Sequence, residues 1–275
     1  MPRALADFSL PELQQQFAAW GAKPSHAARV LREFYASGGE LPELDSTSRA
    51  LARPGFALPD DLLARLRTEF SSEAAALAVR QVAADGTTKL LLRLGDGRTV
   101  ESVLMPDFRA DRAAGCISSQ VGCAMGCDFC ATTKTGFERN LTAGEIVAQF
   151  LALRREARAA GRRLQTVVFM GMGEPLLNLD HVIESVRRIA DNPLGALGWR
   201  QVTVSTVGIV PGIDALAATG LSLRGISYEP TSDETAEAFV AELRTRGVVA
   251  HFRRSRGPDI DAACGQLRRR VSQPM

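Results

Sequence analysis

The chain has 275 residues, 45% of them hydrophobic, and a formal net charge of +2, which suits an ordinary soluble protein with one large core and a smaller unit beside it. No apolar run approaches membrane-spanning length, and the opening Met1-Pro-Arg-Ala-Leu-Ala-Asp-Phe8 has no apolar stretch of the kind a secretory leader carries. Five cysteines, an odd count with three of them clustered, argue against a secreted disulfide scaffold and for a reducing, cytoplasmic setting.

Residues 1–72 read as a small helical domain. Ser9-Leu-Pro-Glu12 is a capping box that opens a helix with Leu13, Phe17 and Trp20 on its apolar face, stopped at Gly21. A second helix begins at Ser25, carries Val30, Leu31 and Phe34, and ends at Gly38-Gly39. A third follows Pro59, with Leu62, Leu63, Leu66 and Phe70 spaced to share one face. Residues 73–110 read as a β-meander, with strands near 77–83, 88–94 and 98–105 joined by turns at Asp85-Gly86 and Asp96-Gly97.

From about 111 to 275 the pattern becomes alternating strand and helix. Cys116-Ile-Ser-Ser-Gln120 reads as a strand, Thr142-x-x-Glu145 caps a long helix to about Ala160, and 165–170 is a buried strand followed by a helix from Asp180. Residues 201–206 form another strand, followed by a helix from Pro211 to Gly220. Such alternation implies parallel strands in an α/β fold, with ligands at their carboxyl ends. Two motifs fall at such ends: a cysteine loop after residue 120 and Gly171-Met-Gly-Glu-Pro175.

The cysteine loop carries the most chemistry. Cys123-x3-Cys127-x2-Cys130 places three thiolates on one short loop, able to hold three irons of a [4Fe–4S] cluster and leave the fourth iron open. An open iron suits chelation by the amino and carboxylate groups of S-adenosylmethionine (SAM). A structural zinc site is the alternative, but it requires four donors, and Cys116 is the one Cys or His close by in sequence to complete a tetrahedron. The spacing, with Phe129 before the last cysteine, is that of the radical-SAM superfamily. In that family a glycine-rich turn after the next strand holds the methionine amino group, which implies SAM contacts at Gly173 and Glu174. Ser205, ending the following strand, is placed to bond the SAM ribose or carboxylate. His26, His181 and His251 fit no constellation and read as structural or exposed.

Four segments in order resemble the RlmN/Cfr family of radical-SAM adenine-C2 methyltransferases: Cys116 to Cys130, Gly136-Phe-Glu-Arg-Asn-Leu141, Gly171 to Leu179, and Asp259-Ile-Asp-Ala-Ala-Cys-Gly-Gln-Leu267. The resemblance implies a partial (β/α) barrel acting on 23S ribosomal RNA and, for one branch, transfer RNA. It also implies an electron donor such as flavodoxin or ferredoxin; no membrane partner is expected, and a monomer is. It further implies that Cys264 becomes S-methylated and that its methyl carbon, turned into a radical, adds to C2 of adenine. Glu101 then accepts the C2 proton, and Cys116 attacks the Cys264 sulfur, leaving a Cys116–Cys264 disulfide. Without the resemblance, Glu101 reads as a solvated strand residue and Cys264 as a small buried hydrophobe.

The tail from Arg244 holds eight arginines against Asp259 and Asp261, a local charge suited to phosphates, although the whole chain favours arginine, 30 to 3 lysines. One departure from the family stands out. After Leu221-Ser-Leu-Arg224, a Ser-Leu-His strand element and a later Asn-Leu-Ile-Pro strand are missing, so the six-strand barrel is expected to shrink to three or four strands, an incomplete barrel. Three readings stay open on this basis: an enzyme, a homologue that binds RNA or a cluster without turnover, and a misread coding sequence of a full-length enzyme.

Overall fold

The computed structural model describes residues 3–40, 58–71, 74–127, 130–190, 194, 197–219, 221 and 224–227. Cys264, Phe129 and the arginine-rich tail lie outside the described residues.

Helix α1, Leu10–Ala19, begins with the expected reciprocal cap. The Ser9 hydroxyl accepts from the Glu12 N–H, and the Glu12 carboxylate accepts from the Ser9 N–H at 2.7 Å. Leu13 and Phe17, one turn apart, are fully buried. Helix α2, His26–Ser37, ends at Gly38 in the left-handed region (φ 85°), where the Gly39 N–H returns to the Phe34 carbonyl at 2.8 Å. Helix α3, Asp60–Glu69, buries Leu62, Leu63 and Leu66. Phe70 does not continue that face as its spacing suggested. It opens a two-residue strand β2, Phe70–Ser71, paired in parallel with β1, Arg3–Ala4. Its ring is buried all the same, 4.8 Å edge-on from Phe8 and 5.4 Å from Trp20. A partner 66 positions or more upstream, invisible to a local window, decides the element while the burial stays as read.

The meander is strands β3 (Ala75–Val82), β4 (Thr88–Leu94) and β5 (Thr99–Pro106), turning at Gly86 and Gly97. It does not stand apart: β5 pairs antiparallel with β6, Arg112–Ile117. Beyond β6 come β9 (Arg163–Phe169), β10 (Val202–Thr206) and β11 (Arg224–Ser227), all parallel. The described sheet runs β11-β10-β9-β6-β5-β4-β3, so four parallel strands are continued by three antiparallel ones and no closed barrel forms among the described residues. The crossovers are helices α4 (Ala143–Ala159), α5 (Leu179–Ile189) and α6 (Val210–Ala218); α4 starts on a second capping box, Thr142 with Glu145.

Strand alternation gives the sheet two faces. Leu90, Leu92, Val100, Leu104, Val167, Phe169, Val202 and Val204 point toward Phe150, Leu153, Val182 and Val186 of the helices, in one core with Leu13, Phe17 and Phe34 of the N-terminal helices. Gly115 lies on this face because a Cβ there would sit 2.9 Å from Leu153 Cδ1. The opposite face carries Val103, Cys116 and Val168 as a small separate cluster, flanked by Met105 and Met170.

Candidate active site

At the carboxyl end of β6 the chain turns through Ser118-Ser119 into β7 (Gln120–Gly122) and returns on β8 (Phe137–Asn140); the cysteine loop hangs from this hairpin. Its neck needs glycine. Gly122 has φ 77°, and a Cβ there would lie 1.8 Å from the Gly136 carbonyl oxygen, which the Cys123 N–H engages at 3.1 Å. The Cys130 N–H donates to the Cys127 carbonyl at 3.0 Å. Cys123 is buried, and Cys127 and Cys130 are half-buried. Burial pushes the Cys123 thiol up, and the charges of Cys130, Cys127 and Glu174 add to the rise against a backbone hydrogen bond from Met125.

Among the described residues no three His, Cys, Asp or Glu side chains are drawn together as tightly as a single metal ion requires. The donor set is three thiols on one loop, which suits a cluster with one iron left open, whereas a structural zinc site takes four donors. Cys116, the sequence neighbour that could complete a zinc tetrahedron, lies on β6 packed with Val103 and Val168.

A dense polar brace fixes this loop to the Gly171–Pro175 turn at the end of β9. The Ser118 hydroxyl donates to the Glu101 carbonyl at 2.7 Å and accepts from the Met172 N–H at 2.9 Å. The Gln120 amide oxygen accepts from the Glu174 N–H at 2.9 Å, and its nitrogen donates to Asn140 Oδ1 at 2.8 Å. The Asn178 amide donates to the carbonyls of Ser119 and Leu141 at 2.7 and 2.8 Å. From α4, buried Gln149 accepts from the Ser118 N–H and the Ser102 hydroxyl and donates to the Ser118 carbonyl, at 2.8, 3.0 and 3.0 Å. Each buried polar group so named is satisfied within the chain.

The glycines of the turn have a reason inside the protein. A Cβ on Gly171 would meet the Ile117 carbonyl oxygen at 2.6 Å; on Gly173 (φ 94°) it would meet Gln120 Cβ at 2.5 Å. Glu174, 3% exposed, uses its carboxylate on the backbone, accepting from the Leu176 N–H and the Val207 N–H, both at 3.0 Å. It thereby ties the β9 turn to the segment after Ser205. Ser205 is half-buried at the end of β10, and the Val168–Thr203 register puts it on the Cys116 face.

Glu101 is not solvated. It is 2% exposed and pairs with Lys89, 0% exposed, at 2.8 Å between Oε2 and Nζ. Both lie on the Cys116 face, since Cys116 registers with Val103, two residues from Glu101. Cys116 is buried there, packed with Val103 and Val168. The sequence reading missed Lys89, Gln149, Ser118 and Gln120. A signal for Lys89 was present: a lysine in Thr88-Lys-Leu-Leu-Leu92 points where Leu91 points, and a buried ammonium demands an anion. His181, read from sequence as structural or exposed, is exposed and has its Nδ1 2.9 Å from Asn178 Oδ1.

A surface network supports the hairpin from outside. Arg139 on β8 bonds Asp96 and both oxygens of Glu145, while Arg98 bonds Asp96 and Glu138. The Arg139 hydrogen bond, outweighing partial burial and helped by Arg98, holds the Asp96 carboxyl down to about 2.

The Radical SAM superfamily model matches residues 117–255. A protein of Opitutus terrae described as "Probable dual-specificity RNA methyltransferase RlmN 1" is 54% identical over 98% of this chain and 97% of its own length. That alignment runs over 355 residues, more than the 275 of the chain, so the relative contains residues with no counterpart here. "Dual-specificity RNA methyltransferase RlmN" of Syntrophobacter fumaroxidans is 39% identical over 89% of this chain and 68% of its own. A solved radical SAM methyltransferase from Sphaerobacter thermophilus superimposes with a TM-score of 0.77 at 32% identity, covering 96% of this chain and 99% of that one. Among the described residues no helix is long and apolar enough to cross a membrane. By fold, motif order and near-full-length identity, the chain belongs to the RlmN family of radical SAM RNA methyltransferases.

Proposed function

We propose that the protein methylates C2 of an adenine in 23S ribosomal RNA, and in transfer RNA, by way of an S-methylated Cys264. The observation that carries this reading is one sheet face holding a buried carboxylate, Glu101, and a buried thiol, Cys116, on strands whose β6 end leads through Ser118 into the braced three-cysteine loop. Cys123, Cys127 and Cys130 would hold a [4Fe–4S] cluster, and the backbone of Gly173 and Glu174, with Ser205, would hold SAM. When bound, these supply a hydrogen-abstracting radical, chemistry that belongs to the cofactors.

The chain's own residues do the rest. C2 of adenine is not nucleophilic, so simple methyl displacement fails there and the carbon must arrive on a protein sulfur. Cys264 carries that carbon. Glu101 takes the proton that C2 loses, the odd electron of the adduct being one that the bound cofactors would take back. The Cys116 thiolate then attacks the Cys264 sulfur, and the sulfur–methylene bond breaks. The methylene takes up a proton to become the C2 methyl group, and the two cysteines end as a disulfide. The substrate and its reductant, a flavodoxin- or ferredoxin-type donor, are consistent with a cytoplasmic monomer.

Mass spectrometry tests the reading. The peptide containing Asp259 to Leu267 should carry S-methylcysteine at Cys264, and Cys116→Ala should trap RNA covalently on it. An unmethylated Cys264 in protein with an intact cluster would refute it. A second reading, binding without turnover, is favoured by the stretch that the Opitutus terrae relative has and this chain lacks. Reduced protein that binds SAM and never releases 5′-deoxyadenosine would select that reading.

A further inference from the structure

We infer that Lys89 is a positioning residue for the proton acceptor: its ammonium keeps the Glu101 carboxylate ionised and directed over the face that holds Cys116. The inference rests on the reading of Glu101 just given. Lys89 registers with Val103 and Glu101 with Leu91, so the two are diagonal neighbours on one face of β4 and β5, a separation that a lysine side chain spans. They meet at 2.8 Å with 0% and 2% of their side chains exposed. Lys89 interrupts a strand that is otherwise Leu90-Leu-Leu92 inside, and fully buried ion pairs rarely add stability over apolar residues of similar volume. A function for the charge is the better account.

The chemistry supplies one. A carboxylate sealed from water without a countercharge takes up a proton, and a protonated carboxyl cannot accept the one that C2 loses. The other titratable or charged groups on this face among the described residues come from β4 and β6. Arg93 of β4 is diagonal to Glu101 on its other side but exposed to water where Lys89 is sealed, and β6 adds Cys116 and the half-buried Arg112. Strands β9 and β10 contribute Val168 and Thr203, and β3 contributes Gln81.

The test compares Lys89→Met and Lys89→Gln with the wild type, loaded with its cluster. Difference infrared spectroscopy reads Glu101 directly, without turnover. Both variants should show a protonated-carboxyl carbonyl band at neutral pH that disappears when Glu101→Gln is added, and Lys89→Arg should not show it. Lys89→Gln keeps a donor without the charge and serves if the Met variant does not fold. In turnover, the neutral variants should lose roughly 10²-fold or more in kcat, the scale of a general base, regain rate as pH rises, and develop a primary isotope effect with C2-deuterated RNA. Glu101 staying ionised in both neutral variants would overturn the inference. An active Glu101→Gln would instead overturn the role of Glu101 itself, so the two failures are distinguishable.

Discussion

Gly122→Ala probes how the cysteine loop is built. Alanine in the left-handed region costs roughly 1–2 kcal/mol. The added Cβ, 1.8 Å from the Gly136 carbonyl oxygen, cannot coexist with it, so the neck must open and the Cys123 N–H to Gly136 hydrogen bond is lost, about 1 kcal/mol more. Gly97→Ala is the matched control: its φ of 83° carries the same backbone penalty, with nothing within 4 Å of the new Cβ. Calorimetry should place Gly122→Ala below the control by roughly 2–4 °C in Tm, from about 1 kcal/mol in a chain of this size. The clash falls next to Cys123, so iron and sulfide content after anaerobic reconstitution should drop in Gly122→Ala and stay normal in Gly97→Ala. Equal melting temperatures and equal iron content in the two variants would refute the reasoning.

Glu174→Gln sets an amide N–H₂ against the Leu176 or Val207 N–H, a buried donor facing a donor that costs about 1–3 kcal/mol, and equilibrium dialysis should show weaker SAM binding. Alanine at Cys123, Cys127 or Cys130 should abolish cluster assembly, read as lost iron, lost sulfide and lost visible absorption; zinc in the purified protein would count against the cluster. The Asp96 carboxyl lies at about 2 when folded against an ordinary 3.8, so its stabilisation is present above about pH 4 and lost as pH falls toward 2. The pair is partly exposed and worth at most about 1 kcal/mol, and Asp96→Asn should flatten the Tm–pH curve in that window.

What was legible in the sequence was local. Ser9 with Glu12 and Thr142 with Glu145 each fix a helix start within four residues, and Gly38, Gly86 and Gly97 mark ends and turns by a backbone angle only glycine adopts readily. The loop cysteines and the Gly171–Pro175 turn were legible because their chemistry sits in consecutive residues. What escaped depends on partners far along the chain. Phe70 became a strand because of Arg3, the meander joined the parallel sheet through β6, and Glu101 proved buried because β4 brings it Lys89. The same holds for Glu174: its carboxylate is taken up by the Val207 N–H, a contact no spacing rule encodes.

The most direct measurement of the central claim is the RNA product. Reconstituted, reduced protein should be incubated with SAM and unmodified 23S ribosomal RNA or transfer RNA, and the RNA digested and analysed by mass spectrometry. The account predicts 2-methyladenosine, absent with Cys264→Ala and with Glu101→Gln. SAM cleaved to 5′-deoxyadenosine with no methyl group on adenine C2 would contradict it.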